Sequence, residues 1–497
     1  MQRNSLLAIM LMLAVLPACA QTEALLQRLS PTANPNWQVY RNPALMAQRY
    51  PASFSEASVA YHTETSSQAP VAQLGKDRYQ GSFQALSYQP LDKHDAVWGN
   101  ASYRRRHTTD VCWNETADFL KVYPYVTADT VGGKMEQEAY LFNLGYAGNK
   151  GKWAYGIEAS YSSAMDYRDI DPRPKDNSTQ VDFCIGTARQ VTNRYQVGGY
   201  LHWQHYAQEQ NIAFMNPYGT VMLYQMTGLG THYHRFAGTL GDAYYTGNTW
   251  GGGITLHTLQ TRGMEIQAGT QHMHLQKQMN NLNNAPVNDI YEWSHNAQIA
   301  WHQRDRYISL SAYYTNRTGM ERFYDDGVHN YQQIATSKPF KATTLATQLK
   351  AAQEWSLNSK WQLALCPSIS LLKHDQSYAS PQRQLSFTSL IPAVNLQVLH
   401  HGRHSIATIQ LTDTWTQNMQ KQLIINEPEL FDKQLATLYN NYHMATACKN
   451  TATLCGRYDW LMRHTVSTLF IEARLQYTTW TIGQHRQQLA MAIGVTI

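Results

Sequence analysis

From residue 54 onward the sequence runs in segments where apolar and polar residues alternate, and the links between segments alternate in length. Successive side chains of an extended chain point to opposite faces, so each segment reads as a strand with one apolar side. In Gly151–Tyr161, Trp153, Tyr155, Ile157, Ala159 and Tyr161 share one face, and Lys152, Gly156, Glu158 and Ser160 share the other. In 465–479, Leu469, Ile471, Ala473, Leu475 and Tyr477 oppose Thr468, Glu472, Arg474 and Gln476. Such segments fall near 54–64, 78–89, 94–106, 137–147, 151–163, 178–189, 194–206, 247–259 and 262–275. They continue near 292–303, 306–317, 343–355, 360–373, 385–399, 404–418, 464–479 and 483–497. Short links such as 148–150, 260–261, 304–305 and 356–359 take turns with long ones such as 107–136, 207–246, 318–342 and 419–463. A soluble sandwich has no reason to sort its loops this way. A barrel standing in a membrane does, with short periplasmic turns on one side and long extracellular loops on the other. The expected fold is all-β: a transmembrane antiparallel outer-membrane β-barrel of 14–18 strands.

The C-terminal segment fits the same scheme. Leu489, Met491, Ile493, Val495 and Ile497 form one face, while Ala490, Ala492, Gly494 and Thr496 form the other. This is expected to be the strand that closes the barrel. The segments above number seventeen, whereas single-chain bacterial barrels have an even count. A further strand is therefore expected inside 419–463, around Leu435 to Thr446, with Cys448 to Cys455 as a periplasmic turn.

The N-terminal region divides at residues 20 and 53. Arg3, the apolar run Leu6 to Leu16 and Ala18-Cys19-Ala20 have the layout of a signal peptide over 1–20, leaving Gln21 first. Leu16-Pro17-Ala18-Cys19 loosely matches a lipobox, so Cys19 is the competing N-terminus; both readings export the chain. Residues 21–53, with Pro31, Pro35, Pro43 and Pro51, are expected to form a periplasmic arm or plug ahead of the barrel, 54–497. No later stretch reaches the ~20 apolar residues of a membrane helix. A mean hydropathy of −0.47 suits a barrel, whose strands turn only every second residue to lipid. The 32 tyrosines and 13 tryptophans suit membrane interfaces, where one end of the ring is apolar and the other wet. Net charge is +5, one less without Arg3, and Arg104-Arg105-Arg106 is the one basic run. That balance offers no nucleic-acid surface. Beyond the signal, Cys448 and Cys455 are spaced to close a small loop, and the other three cysteines are too scattered for a disulfide framework or a zinc site.

Two short elements carry a family resemblance. Arg41-Asn42-Pro43-Ala44-Leu45, just before the first strand, resembles the Asn-Pro-Ala element of barrels related to the long-chain fatty-acid transporter and of several Bacteroidota outer-membrane barrels. Tyr167-Arg168-Asp169-Ile170-Asp171-Pro172-Arg173-Pro174 falls in an expected external loop. With the C-terminal strand, these resemble an uncharacterised Bacteroidota outer-membrane barrel family known only as a domain of unknown function. The resemblance implies fold and location and brings no substrate.

Residues that would carry chemistry are few. Lys152, Glu158, Glu472 and Arg474 lie on polar strand faces and are expected to line the lumen, as a selective charged lining or, more simply, as ion pairs bracing the interior. His232-Tyr233-His234 and His272-Met273-His274 each set two imidazoles on one face, but no third ligand stands at metal-site spacing, so no metal or other cofactor is expected. His374-Asp375-Gln376-Ser377 is too local for a catalytic triad, and Glu427 to Glu429 is generic. There is no Gly-x-Ser-x-Gly, His-Glu-x-x-His or Walker loop. The expected role is passage or binding of small solutes or lipids, with outer-membrane lipid and the barrel assembly machinery as partners and no nucleic acid. The alternatives are a non-conducting scaffold whose Tyr/Asn/Gly-rich loops (216–219, 244–247) bind protein or glycan and, last, an outer-membrane enzyme. Oligomeric state is left open.

Overall fold

Alternating residues fold here into strands that pair in chain order. The computed structural model describes residues 25–497, apart from 34, 36, 51, 218, 234–236, 239–240, 326–330, 427–431 and 463–466. The segment 1–20 therefore lies outside the described residues, as do His234 and Glu427 to Glu429. The first strands are β1 (Phe54–Ser66), β2 (Arg78–Pro90), β3 (Ala96–Val111), β4 (Thr127–Ala128), β5 (Gly133–Lys150), β6 (Trp153–Tyr167) and β7 (Arg173–Gln190). Then come β8 (Tyr195–Ala213), β9 (Tyr224–Gly228), β10 (Thr231–His232), β11 (Ala243–Thr258), β12 (Gly263–Met279), β13 (Ala285–Gln303) and β14 (Arg306–Tyr324). The last are β15 (Gln333–Ser356), β16 (Trp361–Tyr378), β17 (Arg383–His401), β18 (Ser405–Ile425), β19 (Lys449–Leu461), β20 (Thr468–Trp480) and β21 (His485–Thr496).

Eighteen of these, all but β4, β9 and β10, form one antiparallel sheet. It closes because β21 pairs with β1 as well as β20, placing Val495 opposite Ala57 and Met491 opposite Tyr61. Ser55 and Ile497 exchange two backbone hydrogen bonds of 2.7 Å at the seam. Closure leaves the eighteen-strand wall without an open edge, as lipid requires. On the rim where β1 begins and β21 ends, here the turn rim, connections span 2 to 6 residues. On the opposite loop rim they span 4 to 29.

The outward face is apolar. Trp153, Trp355, Trp361 and Trp460 ring it near the turn rim, and Tyr161, Trp250, Trp293, Trp415 and Tyr477 stand higher up the wall. Leu144, Ile157, Ile185, Leu201, Ile299 and Leu310 are exposed between them. An aliphatic band edged by aromatic rings is the surface a bilayer solvates. The barrel is transmembrane.

Four sequence expectations change. The eighteenth strand is Lys449–Leu461, while Leu435 to Thr446 belongs to a helix, Asp432–Thr446. Cys455 lies inside β19 and both Cys448 and Cys455 are free thiols, so no turn or loop joins them. The strand was hidden because Asn450, Ala452 and Gly456 dilute its lipid-facing row, leaving Leu454, Tyr458 and Trp460 to carry the alternation. Lys152 is not on a strand face: with Gly151 it forms an exposed two-residue turn, because β5 runs on through Lys150. Likewise Tyr244 to Gly247 is strand β11, not loop.

Candidate functional site

The lumen is occupied from both ends. From the turn rim, residues 25–49 run inside the wall. Trp37, Val39, Ala44 and Leu45 pack on Ala154, Ala188, Ala300, Tyr307, Ala352 and Cys366, inward residues of β6, β7 and β13–β16. Asn42 anchors the arm. Its Oδ1 accepts from the Ala44 amide at 3.1 Å, and its Nδ2 donates to the Thr187 carbonyl at 3.1 Å and to Thr255 Oγ1 at 3.3 Å. The wall is cut away to receive it. A Cβ at Gly186 would stand 2.0 Å from Asn42 Oδ1, and one at Gly156 would stand 2.4 Å from the Pro43 carbonyl carbon. Elsewhere on the rim Leu25 joins Leu399 and Ile406, and Arg28 pairs with Glu56 at 2.8 Å. Glu56 also meets Arg457 at 3.1 Å.

The loop rim is filled by a lid. Residues 112–132, with a short helix α1 (Phe119–Val122), fold inward with β9 and β10. Trp113, Phe119, Val122, Tyr125 and Met226 pack on Tyr206, Tyr245, Leu275 and Ile290 of the wall. Lys277 donates to Gln225 Oε1 at 2.6 Å, and Arg317 to the Tyr123 carbonyl at 2.7 Å. The helix Asp432–Thr446, α2, braces the other side. Gln434 donates to the Gly230 carbonyl at 2.9 Å, and Asn441 accepts from the Ala72 amide at 2.9 Å.

Arg168, in the turn after β6, latches the lid. Its guanidinium lies 2.5 Å from Glu115 and 2.5 Å from Asp129, and all three side chains are at most 1% exposed. Its Nε donates to the Pro172 carbonyl at 2.8 Å. Burial, with Asp129 facing it, pushes the Glu115 carboxyl well above the usual range. Burial opposes the charge on Asp129 too, yet the Glu115 hydrogen bond and Arg168 hold its carboxyl low. Of the two carboxyls Glu115 holds its proton the more tightly, which leaves Asp129 the stronger ion-pair partner of Arg168.

Between arm and lid lies a chamber of about 730 Å³ walled by β2, β3 and β5–β8. Arg78, Arg104, Arg106 and Lys121 reach it, against the carboxylates Asp118 and Asp166. Burial depresses the Lys121 ammonium, with Asp118 and Asp182 drawing it back. Strand alternation separates the basic run: Arg104 and Arg106 face in, and Arg105 faces out toward Glu138 at 3.9 Å. Beneath the chamber Trp98 Nε1 and Asn143 Nδ2 donate to Glu158 at 2.9 and 3.1 Å.

The lumen-lining candidates do not gather. Glu158 is bound under the chamber, and Lys152 is outside the lumen on the turn rim. Glu472, on β20, is 3.8 Å from Arg457, and Arg474 follows two residues on. β21, β1, β2, β3 and β5 stand between β20 and β6. His374 and Gln376 share one face of β16, which sends Asp375 and Ser377 to the other. His272 packs at a tilt against Trp293, and His274 stacks on Tyr291. Among the described residues no three metal-ligating side chains converge. The signal that finds the chamber was in the sequence: two arginines two apart on a strand.

Residues 43–497 match a family described as a family of unknown function, DUF6850. The chain belongs to that family. The DUF6850 match starts at Pro43, inside the Asn-Pro-Ala element that seats the arm, and includes the whole barrel. Comparison with curated proteins gives no match. Among solved structures, the chain is similar to BauA, the ferric preacinetobactin receptor of Acinetobacter baumannii, at 9% identity over 89% of this chain and 80% of that one, with a TM-score of 0.40. It is similar to the siderophore receptor PiuA of A. baumannii at 7% identity over 90% and 82%, TM-score 0.41. The ferric citrate transporter FecA matches at 9% identity over 90% and 79%, TM-score 0.39.

Proposed function

We propose that this DUF6850 chain is an outer-membrane barrel that binds a small solute in a closed lumen and admits it by moving the arm or the lid, not a standing pore. The observation that carries this reading is the arm, seated by Asn42 in a glycine-cut recess across the turn rim. An eighteen-strand barrel without contents would hold an aqueous channel. Here the arm and lid fill both ends, and a chamber lies between them. Export by a signal at 1–20, and kinship with Bacteroidota and fatty-acid-transporter-type barrels, belong to the same reading; Ala18-Cys19-Ala20 and the Asn-Pro-Ala element support them.

Planar-bilayer recording tests it. The full chain gives no steady conductance, and a variant lacking the arm, 25–50, and with short Gly-Ser linkers in place of the lid segments 113–131 and 215–241 gives stepwise conductance while keeping the heat-dependent gel shift of a folded barrel. Gly186→Val, which displaces Asn42 by steric conflict alone, gives the same steps in a chain that keeps the arm and carries the same lid replacement. Steady conductance from the unaltered protein overturns the reading. Silence from both folded variants favours the non-conducting scaffold instead.

A further inference from the structure

The chamber has more positive charge than its own carboxylates answer. Four cations line it against two carboxylates. Both carboxylates are already engaged. Asp118 accepts from the Tyr206 hydroxyl at 2.9 Å, and Asp166 takes Gln137 Nε2 on both oxygens at 2.9 Å. Arg106 comes no nearer to Asp166 than 3.9 Å, beyond hydrogen-bond length, with its side chain 29% exposed. Arg104 donates to the neutral Gln137 Oε1 at 3.1 Å. The Nε atoms of both arginines are buried with no acceptor. Each guanidinium is a planar fork suited to the paired oxygens of a carboxylate or phosphate, and here two stand on one strand face, two residues apart.

Beside and below them the same wall carries neutral polar groups. Gln80 and Ser82 of β2 stand opposite Arg106 and Arg104, and Gln84 of β2 with Asn100 and Ser102 of β3 line the chamber below, where Gln84 donates to Asn100 at 3.4 Å. Amides and hydroxyls both donate and accept, as hydroxyl groups require. Apolar side chains, among them Phe119, Met135 and Leu141, line the chamber as well and would meet the carbon skeleton of a ligand.

From this arrangement we infer that the chamber binds a small polyhydroxylated anion, a sugar acid or sugar phosphate, with its charged group on Arg104 and Arg106 and its hydroxyls along the Gln80–Ser102 side. The inference names the solute class of the closed lumen proposed above and rests on that reading. The chamber volume admits a monosaccharide derivative with room for water.

Titration calorimetry of the full-length protein in detergent tests it with four probes: glucose 6-phosphate, gluconate, glucose and inorganic phosphate. At least one of the first two binds ten-fold or more tighter than glucose and than inorganic phosphate, and which one does tells phosphate from carboxylate. Arg104→Gln with Arg106→Gln lowers that affinity at least ten-fold while the heat-dependent gel shift is kept. Asn100→Ala with Ser102→Ala weakens the sugar anion and leaves inorganic phosphate unchanged. In the barrel lacking the arm and with the lid segments replaced, the arginine pair also gives anion selectivity, read from the reversal potential, and the double Gln variant loses it. Equal binding of glucose and both anions, or no change on replacing the arginines, overturns the inference. Inorganic phosphate binding as tightly as glucose 6-phosphate overturns its sugar half. The closed-lumen reading survives each of those results, since it stands or falls on conductance.

Discussion

Arg168 sits where two carboxylates would otherwise face each other out of water, and its position fixes how the lid responds to pH. Glu115 binds its proton more tightly in the docked lid than its ordinary value of 4.5. Its contribution to docking is complete below that value and is lost as pH rises through the raised pKa. Asp129 has the opposite sign: its contribution is present above the ordinary 3.8 and is lost as pH falls through the lowered pKa. Docking is therefore firmest in mild acid and loosens toward alkaline pH. Hydrogen-exchange protection of 112–132, corrected for intrinsic rate, falls as pH rises above the ordinary Glu115 value. In Glu115→Gln, whose amide cannot ionise, the alkaline fall disappears; a Gln variant with an unaltered fall would show that another group sets it. Arg168→Met strips the ion pair and costs the lid about 3–5 kcal/mol near neutral pH, the usual cost of leaving a buried charge alone, and less in acid where Asp129 takes up a proton. The sequence displayed Arg168 and Asn42 in their short elements, but not what they hold. Glu115 and Asp129 lie 53 and 39 residues upstream of Arg168, and Thr187 and Thr255 lie 145 and 213 residues beyond Asn42.

At the scale of the element, alternation is read best where it is richest. β20 and β21 were legible because Leu469, Ile471, Leu475, Met491 and Ile493 all turn outward and stay exposed. β19 pairs with β18 and β20 over its whole length, yet small and amide residues fill half its outward row. The helix before it also has no period-2 signal to mark where the strand begins. Register gives a test of the lipid-facing row. Met491 is 55% exposed, opposite Tyr61 and Ala473, midway between the level of Trp460 and that of Tyr477. Met491→Arg places a cation near the middle of the apolar band and destabilises the barrel by about 2–4 kcal/mol. Urea titration in lipid vesicles measures that loss. Ala492→Ser, one residue on and facing the lumen, leaves the midpoint within about 0.5 kcal/mol. Equal effects at the two positions would mean that the outward face is not in lipid.

For the whole molecule, an even strand count and a seam between β1 and β21 determine which connections share a side. The seam begins and ends at the turn rim, so the connections after β2, β5, β7, β11, β13, β15, β17 and β19 lie there, and the rest lie with the lid. Loop length alone misplaces part of this pattern. The connections 168–172, 280–284, 379–382 and 481–484 are as short as turns yet lie on the loop rim, because the wall there needs only a tight return while three long segments supply the lid. What the sequence could not display was the filling of the lumen, since an inward polar residue looks the same whether it meets water, an arm or a lid. The side of each rim is open to direct measurement in cells. An epitope inserted in 481–484 is reached by antibody on intact cells, despite that connection's short length. The same epitope in 402–404 is reached only after the outer membrane is permeabilised. Reversal of the two results would turn the barrel over, place the arm outside, and make the lid the face toward the cell.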